Sequence, residues 1–362
     1  MHFFKQFSRY FVALLFLFSG FVKIVDPIGT GIKMEKYFLI FSENIAGFFE
    51  YFIPFGLSFA VIIICLEMIL GLALLFNYRM KLTAWSLVAL IGVFTVLTFY
   101  TAITGDPKDC GCFGDFMKLT PWQSFSKDLV LSVFIGGIFY YRNDYKTVLA
   151  VKQSDLTIGS LSVMIVLFAF YNIFNLPIID FRPYAVDSNI KELMTNGEPA
   201  VTHYEFEKDG EKFTDPEAKM EFFKAPYKYI GTVTVKDETP PSIVDFMLTD
   251  SEGEEHTSEI FEGKKLLIVI KKDKGIDDEI SNTLLDITTK AKAQGIESMI
   301  VSSISLNEFS KTILGKIWKG KFYTLDSDIS KAVIRSNIGL LRIKNGIVVN
   351  KKHSKEASKI LN

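Results

Sequence analysis

The apolar positions divide the chain into two unlike halves. Up to about residue 180, long apolar runs are separated by short polar connections; beyond it, short or alternating apolar runs stand among Lys, Asp and Glu. Five early runs approach the roughly 20 apolar residues with which a helix crosses a hydrocarbon core: residues 10–25, 53–76, 83–102, 125–141 and 157–177. The fourth is the weakest, interrupted by Ser132 and a pair of glycines. Lys5 and Arg9 precede the first run as they would in a signal peptide, yet the run continues through Gly20 and Phe21 to Val25 with no clear small-residue cleavage site. Residues 26–52 carry Phe38 to Phe41 and Phe48 to Phe52 between polar stretches, the pattern either of an amphipathic helix lying in the interface or of a loop with scattered aromatics.

After Asp180-Phe181-Arg182-Pro183 the pattern changes. Val201 to Phe206 and Glu211 to Phe213 flank Lys208-Asp209-Gly210 as hairpin strands, and Tyr229 to Val235 alternate as a third. Pro240-Pro241 marks a boundary. Beyond it Ile243 to Leu248 and Glu254 to Ser258 predict two strands, Leu266 to Ile270 and Ile296 to Val301 two buried strands, and Asp277 to Lys292 and Leu306 to Ile317 two helices. Phe322 to Leu325 is a short strand, Ile329 to Arg335 a short helix, and Leu340 to Lys344 with Ile347 to Asn350 a hairpin about Asn345-Gly346. The expected layout is a membrane domain over 1–150, a fifth spanning helix over 151–180, a linker with a small β element over 181–240 and an α/β domain over 241–362.

Composition fits this division. Of 362 residues 49% are apolar, and the mean hydropathy is +0.26. The 34 phenylalanines, mostly in the first half, read as lipid-facing and packing surface. A net charge of −1 gives no electrostatic case for nucleic acid. With the N-terminus in the cytoplasm, Lys5, Arg9, Arg79, Lys81, Arg142, Lys146 and Lys152 fall inside, against Lys33, Lys36, Lys108 and Lys118 outside. Five crossings then place everything after residue 178 on the extracytoplasmic side of a bacterial inner membrane, where disulfides persist.

Two of the three cysteines stand in Asp109-Cys110-Gly111-Cys112-Phe113-Gly114-Asp115, a polar connection on that same side. A disulfide needs Cα atoms about 4.4–6.8 Å apart, which residues one glycine apart reach only by a sharp bend. Gly111 and Gly114 allow it. Closing so small a loop stabilises a fold by roughly 1.5 kcal/mol, against about 3 for a 15-residue loop, so thiol exchange explains the pair better than a structural staple does. Glu67, within the second span, is costly to bury charged and is expected to face the bundle interior; there it reads either as a hydrogen-bonded structural carboxyl or as a proton site for the redox pair. Cys65 lies roughly 200° round the helix from Glu67 and reads as packing. Two thiolates with Asp109 and Asp115 could also hold a metal, but the donors crowd into seven residues without a histidine. His2, His203, His256 and His353 are scattered, and no phosphate-binding glycine motif follows a predicted strand.

Two family resemblances follow. Ser19-Gly20-Phe21-Val22-Lys23-Ile24 leading to Asp26-Pro27, Glu67 in the second helix and the Cys-Gly-Cys-Phe-Gly loop resemble the DoxX and MauE group of bacterial four-helix membrane proteins over about residues 5–142. That resemblance implies that Cys110 and Cys112 are a redox pair and that a thioredoxin-like partner works beside them, as in disulfide formation in a periplasmic enzyme. The order of elements over 241–362 resembles the thioredoxin-like fold. Where that family carries Cys-x-x-Cys, this chain has Lys271-Lys272-Asp273-Lys274-Gly275-Ile276-Asp277, so thioredoxin catalysis by this domain is excluded. The fold expected is therefore an α-helical membrane bundle, a four-helix core plus a fifth helix, followed by an α/β thioredoxin-like domain.

Two functions compete. In one, Cys110 and Cys112, with Glu67, relay electrons between an extracytoplasmic dithiol protein and a quinone or another membrane carrier. In the other, the chain is a non-catalytic membrane anchor whose thioredoxin-like domain binds a partner protein. Cycling of the cysteine pair in cells separates them.

Overall fold

A computed structural model describes residues 2–107, 110–208, 210–217, 219–236 and 239–362. The chain forms two compact units, Met1–Arg182 and Pro183–Asn362.

The first unit is helical: α1 (His2–Val25), α2 (Pro27–Asn44), α3 (Gly56–Leu75), α4 (Met80–Thr104), α5 (Pro121–Tyr140) and α6 (Val151–Phe174). Their starts are encoded locally. Asp26 accepts the Gly29 N–H at 2.9 Å and Pro27 opens α2, while Thr120 and Gln123 form a reciprocal capping box before Pro121 opens α5. Helices α1, α3, α4 and α5 share a core of Val12, Ala13, Phe16, Leu70, Leu74, Leu87, Ile91, Leu131 and Ile135. α6 packs along α1 and α3 through Ile24, Ile64, Cys65, Ile165 and Ala169. Four helical stretches are long and apolar enough to cross a membrane: Phe3–Val25, Gly47–Leu75, Met80–Thr104 and Val151–Phe174. α5 equals α3 in length, at 20 residues, but carries Lys127 and Asp128.

Residues 26–52 are helical over most of their length, as α2 and the start of a 3₁₀ helix, Gly47–Phe55. Basic residues that the sequence assigns to one side do meet at one end of the bundle. Lys5 Nζ donates to the Asp144 carbonyl, Tyr145 donates to the Lys5 carbonyl, and buried Arg9 pairs with Asn77, whose amide reaches the Lys146 carbonyl.

The second unit holds α7 (Ile190–Thr195) and two sheets. The smaller sheet has the antiparallel order β2-β1-β3, from β1 (Val201–Lys208), β2 (Glu211–Asp215) and β3 (Lys228–Lys236). Phe206 is fully buried in it among Phe213, Phe222, Phe223 and Tyr229. Asp209, in the expected turn, lies outside the described residues.

The larger sheet contains β4 (Lys264–Ile270), β5 (Glu297–Ser302), β6 (Lys321–Thr324), β7 (Ile338–Lys344) and β8 (Ile347–His353), in the order β6-β5-β4-β7-β8. β4, β5 and β6 are parallel, and β7 and β8 run antiparallel to them. The helices are α8 (Asp278–Ala293), α9 (Leu306–Lys311), α10 (Ile313–Ile317) and α11 (Ser327–Val333). This is the α/β order of a thioredoxin-like domain, its core built from Leu266, Ile268, Leu284, Ile287, Ile300 and Leu340.

Two expectations fail here. Residues 243–248 and 254–258 form no strands: Asp245 has φ of 60°, which breaks an extended run, and only isolated bridges join Thr249 to Glu255 and to Thr324. The helix over 306–317 divides at Thr312, whose backbone is extended (φ −72°, ψ 161°) and whose hydroxyl caps α10 at the Gly315 N–H. Gly315 there crosses so close to the chain that a Cβ would sit 1.9 Å from the Phe309 carbonyl oxygen.

Candidate functional site

The connection from α4 to α5 bends as its glycines allow. Gly111 has φ of +70° and Gly114 of +56°, and the Gly114 N–H closes a turn onto the Gly111 carbonyl at 3.0 Å. Lys33 of α2 anchors the loop, donating to the Gly114 carbonyl at 2.9 Å and lying 3.3 Å from Asp115. Phe113 is buried and packs on Phe18 of α1.

This bend brings the two sulfurs together. Cys110 Sγ and Cys112 Sγ are unbonded thiols 2.7 Å apart, less than an ångström beyond a disulfide bond length of about 2.05 Å. The Cys112 N–H points at Cys110 Sγ at 3.4 Å, and Ser124 Oγ of α5 lies 2.9 Å from the same sulfur. The hydrogen bond with Cys110, and burial behind it, hold the Cys112 thiol well above the ordinary thiol range, against the pull of nearby Lys127 and Lys23. Cys112 thus keeps its proton to a higher pH than an ordinary thiol does.

Below the loop stands a buried ion pair. Glu67 of α3 and Lys23 of α1 meet at 2.5 Å, with side chains 3% and 6% exposed. Ser19, one helical turn before Lys23, lies 3.2 Å from Glu67 Oε2 and 2.9 Å from the Cys112 carbonyl, so one hydroxyl touches both the carboxylate and the cysteine loop. A second pair lies on α5: Lys127 contacts Asp128, which is fully buried and accepts a hydrogen bond from Thr98 of α4 at 2.9 Å. Lys23, Glu67 and Lys127 border a recess of about 770 Å³, open mouth included, of which about 70 Å³ is void that water can fill. Ser19, Lys23, Glu67, Cys110, Cys112 and Lys127 line one part; Phe16, Met34, Tyr37, Ile63, Phe94 and Leu97 line the rest.

The structure therefore brings Cys110, Cys112 and Glu67 to one recess. Cys65 stays apart, packed between α3 and α6. Of the four donors considered for a metal, Asp109 lies outside the described residues and Asp115 is engaged with Lys33. Lys23 and Ser19 belong to the sequence segment that carries the family resemblance, although their contact with Glu67 was not foreseen. Lys127, Asp128 and Thr98 were missed; the available signal was an adjacent Lys-Asp pair at the start of an otherwise apolar run. In the second unit, His256 lies 3.0 Å from Asp250 and 3.3 Å from Glu259, and Asp250, Glu254 and His256 come close enough together to share an ion. The hydrogen bond to Asp250 raises the His256 pKa.

Residues 1–141 match the family described as methylamine utilisation protein MauE. Protein TlpB of Flavobacterium psychrophilum is 27% identical over 141 residues, covering 36% of this chain and 35% of that protein. The chain thus aligns with about a third of that relative's length. No solved structure matches the chain. Over its first 141 residues the chain is thus similar to the MauE family, and four of its helical stretches are long and apolar enough to cross a membrane.

Proposed function

We propose that this protein is a membrane thiol–disulfide relay whose working pair is Cys110 and Cys112. The observation that carries this reading is the contact of the two sulfurs, held by a bend that only the flanking glycines permit. Cys110, which receives the Cys112 N–H, is the sulfur that enters the mixed disulfide: a substrate thiolate attacks it when the pair is oxidised, and Cys110 is itself the attacking thiolate, with Cys112 resolving, when the reaction runs in reverse. In the forward direction, the Cys110–Cys112 disulfide takes two electrons from a dithiol protein. One S–S bond breaks, one forms in the substrate, and the two substrate protons pass to Cys110 and Cys112. The loop faces the extracytoplasmic side, with the N-terminus in the cytoplasm, in keeping with the basic cluster at the opposite, Lys5 end of the bundle. Glu67, paired with Lys23 and joined through Ser19 to the loop, keeps the polar end of the recess ordered and wet.

Thiol trapping in membranes tests the relay. Wild type is expected to show both oxidised and reduced forms, and Cys112→Ser to accumulate a mixed disulfide through Cys110. If Cys110→Ser/Cys112→Ser leaves every thiol phenotype intact, the relay fails.

A second reading is favoured by Lys271 to Asp277, where no cysteine stands. In it the thioredoxin-like domain recognises a partner protein without reacting with it. A partner captured equally by wild type and by Cys110→Ser/Cys112→Ser supports this role, which is compatible with the relay.

A further inference from the structure

We propose that the recess beside Cys110 and Cys112 binds the head group of a lipid-soluble quinone, which takes two electrons from the reduced cysteine pair. The inference rests on the relay reading and names its electron acceptor. The first support is the recess's mixed lining: two sulfurs and several hydrogen-bond donors share it with Phe16, Met34, Tyr37 and Phe94. A flat ring with two carbonyl oxygens and an apolar tail matches such a lining, since small-molecule sites combine apolar walls with a few placed polar groups.

A second support is independent of the sulfurs. Thr30 Oγ1 is buried on the wall of this recess and has no hydrogen-bond partner among the described residues. A buried hydroxyl left unpaired is costly, so a water or a ligand oxygen is expected against it. Lys23 and Lys127 supply further donors to the same recess.

Charge argues against a phosphorylated carrier. Lys23 faces Glu67, Lys33 faces Asp115 and Lys127 faces Asp128, so each lysine of the recess already has a carboxylate and little positive charge remains to grip a phosphate. A neutral quinone asks for donors only. The void of about 70 Å³ is smaller than the ~150 Å³ that admits benzene, so the ring displaces water and turns Met34, a flexible side chain, aside. In the reaction two S–H bonds break and one S–S bond forms between Cys110 and Cys112. Two electrons and two protons pass to the quinone, which leaves as hydroquinone.

The test uses the full chain in lipid nanodiscs with its cysteine pair reduced. The quinones are decylubiquinone and menaquinone-4, whose fully substituted rings resist thiol addition. One hydroquinone is expected per disulfide formed, and Thr30→Val and Phe94→Trp should each raise the half-saturating quinone concentration about tenfold. A pair that exchanges with dithiothreitol but is oxidised by neither quinone overturns the inference and leaves the relay standing. Oxidation that saturates identically in both variants also overturns it, because the ring then reacts outside the recess. Failure to exchange even with dithiothreitol removes the relay as well.

Discussion

Lys23 and Glu67 offer the sharpest test of the bundle's energetics, because their value is conditional on each other. Lys23→Met leaves a carboxylate 3% exposed whose remaining polar contact among the described residues is Ser19 at 3.2 Å. Breaking a buried pair costs about 3–5 kcal/mol, and the wet recess beside it argues for the lower end, about 3 kcal/mol. Glu67→Gln is milder, about 2 kcal/mol, since the amide oxygen still accepts from Lys23 and the Phe94 ring lies 5.4 Å from the ammonium. The double variant Lys23→Met/Glu67→Gln removes both charges and should lose only about 1 kcal/mol, against about 5 if the single losses simply added. The assay is reversible unfolding in mixed micelles of rising SDS fraction, with all four proteins compared in one detergent. At about 1.4 kcal/mol per tenfold, the coupling of about 4 kcal/mol is a several-hundredfold effect on the folding equilibrium. A double variant as unstable as the sum would refute the claim that these two residues act as one unit.

Other consequences are simpler to measure. Gly111→Ala places a side chain at φ +70°, where a Cβ meets Lys33 Cδ at 2.5 Å; it should cost about 1–2 kcal/mol and slow disulfide formation by Cys110 and Cys112 at least tenfold, read by alkylation time courses. An unchanged rate would mean that the bend is not needed. His256 holds its proton to a higher pH than the usual value of about 6.5 because Asp250 accepts its hydrogen bond. A raised native pKa means that this contact stabilises fully below the unfolded-state value and fades as pH rises through the native one. An imidazole titration by NMR that gives an ordinary midpoint, or one unchanged in Asp250→Asn, contradicts the assignment.

Much of this architecture was legible because its period is strong. β4 carries the unbroken apolar run Leu266 to Ile270 and β5 the buried Met299 to Val301, α8 starts at an Asp277 cap, and Asn345-Gly346 has the positive φ values, 50° and 81°, of a two-residue hairpin turn. The failures lie where a tertiary contact outweighs pattern. Residues 243–248 form a short, mostly apolar run of strand length, and Ile243, Phe246 and Leu248 are indeed buried, but their backbone bonds go elsewhere: Ile243 N–H to the Leu193 carbonyl, Leu248 N–H to the Thr257 hydroxyl. At the site, the cysteine pair announces itself by spacing, and Glu67 by being charged in an apolar run. Asp128 does the same, yet it stands beside Lys127, and an adjacent opposite charge near a helix start reads as a solvated end. Only packing against Thr98 of α4 shows that the carboxylate points inward.

The thioredoxin-like domain departs from thiol chemistry by more than its missing cysteines. A helix N-terminus lowers a thiol's pKa because its unpaired N–H groups and dipole favour negative charge. At α8 that capacity is already taken: Asp277 caps the Ile280 N–H at 2.9 Å, and Asp278 and Glu279 add two more carboxylates in the first turn. A thiolate placed there would face anions where the redox fold needs partial positive charge. Asp277→Cys is therefore expected to alkylate with an ordinary thiol midpoint, near 8.5, and to lose about 1 kcal/mol with the cap. Adding Asp278→Asn and Glu279→Gln should then lower that midpoint by about one unit, as the uncovered helix end acts on the sulfur. A midpoint already far below the ordinary range in Asp277→Cys alone would show that this helix end still favours a thiolate. The electrostatic part of the case against redox chemistry in this domain would then be lost.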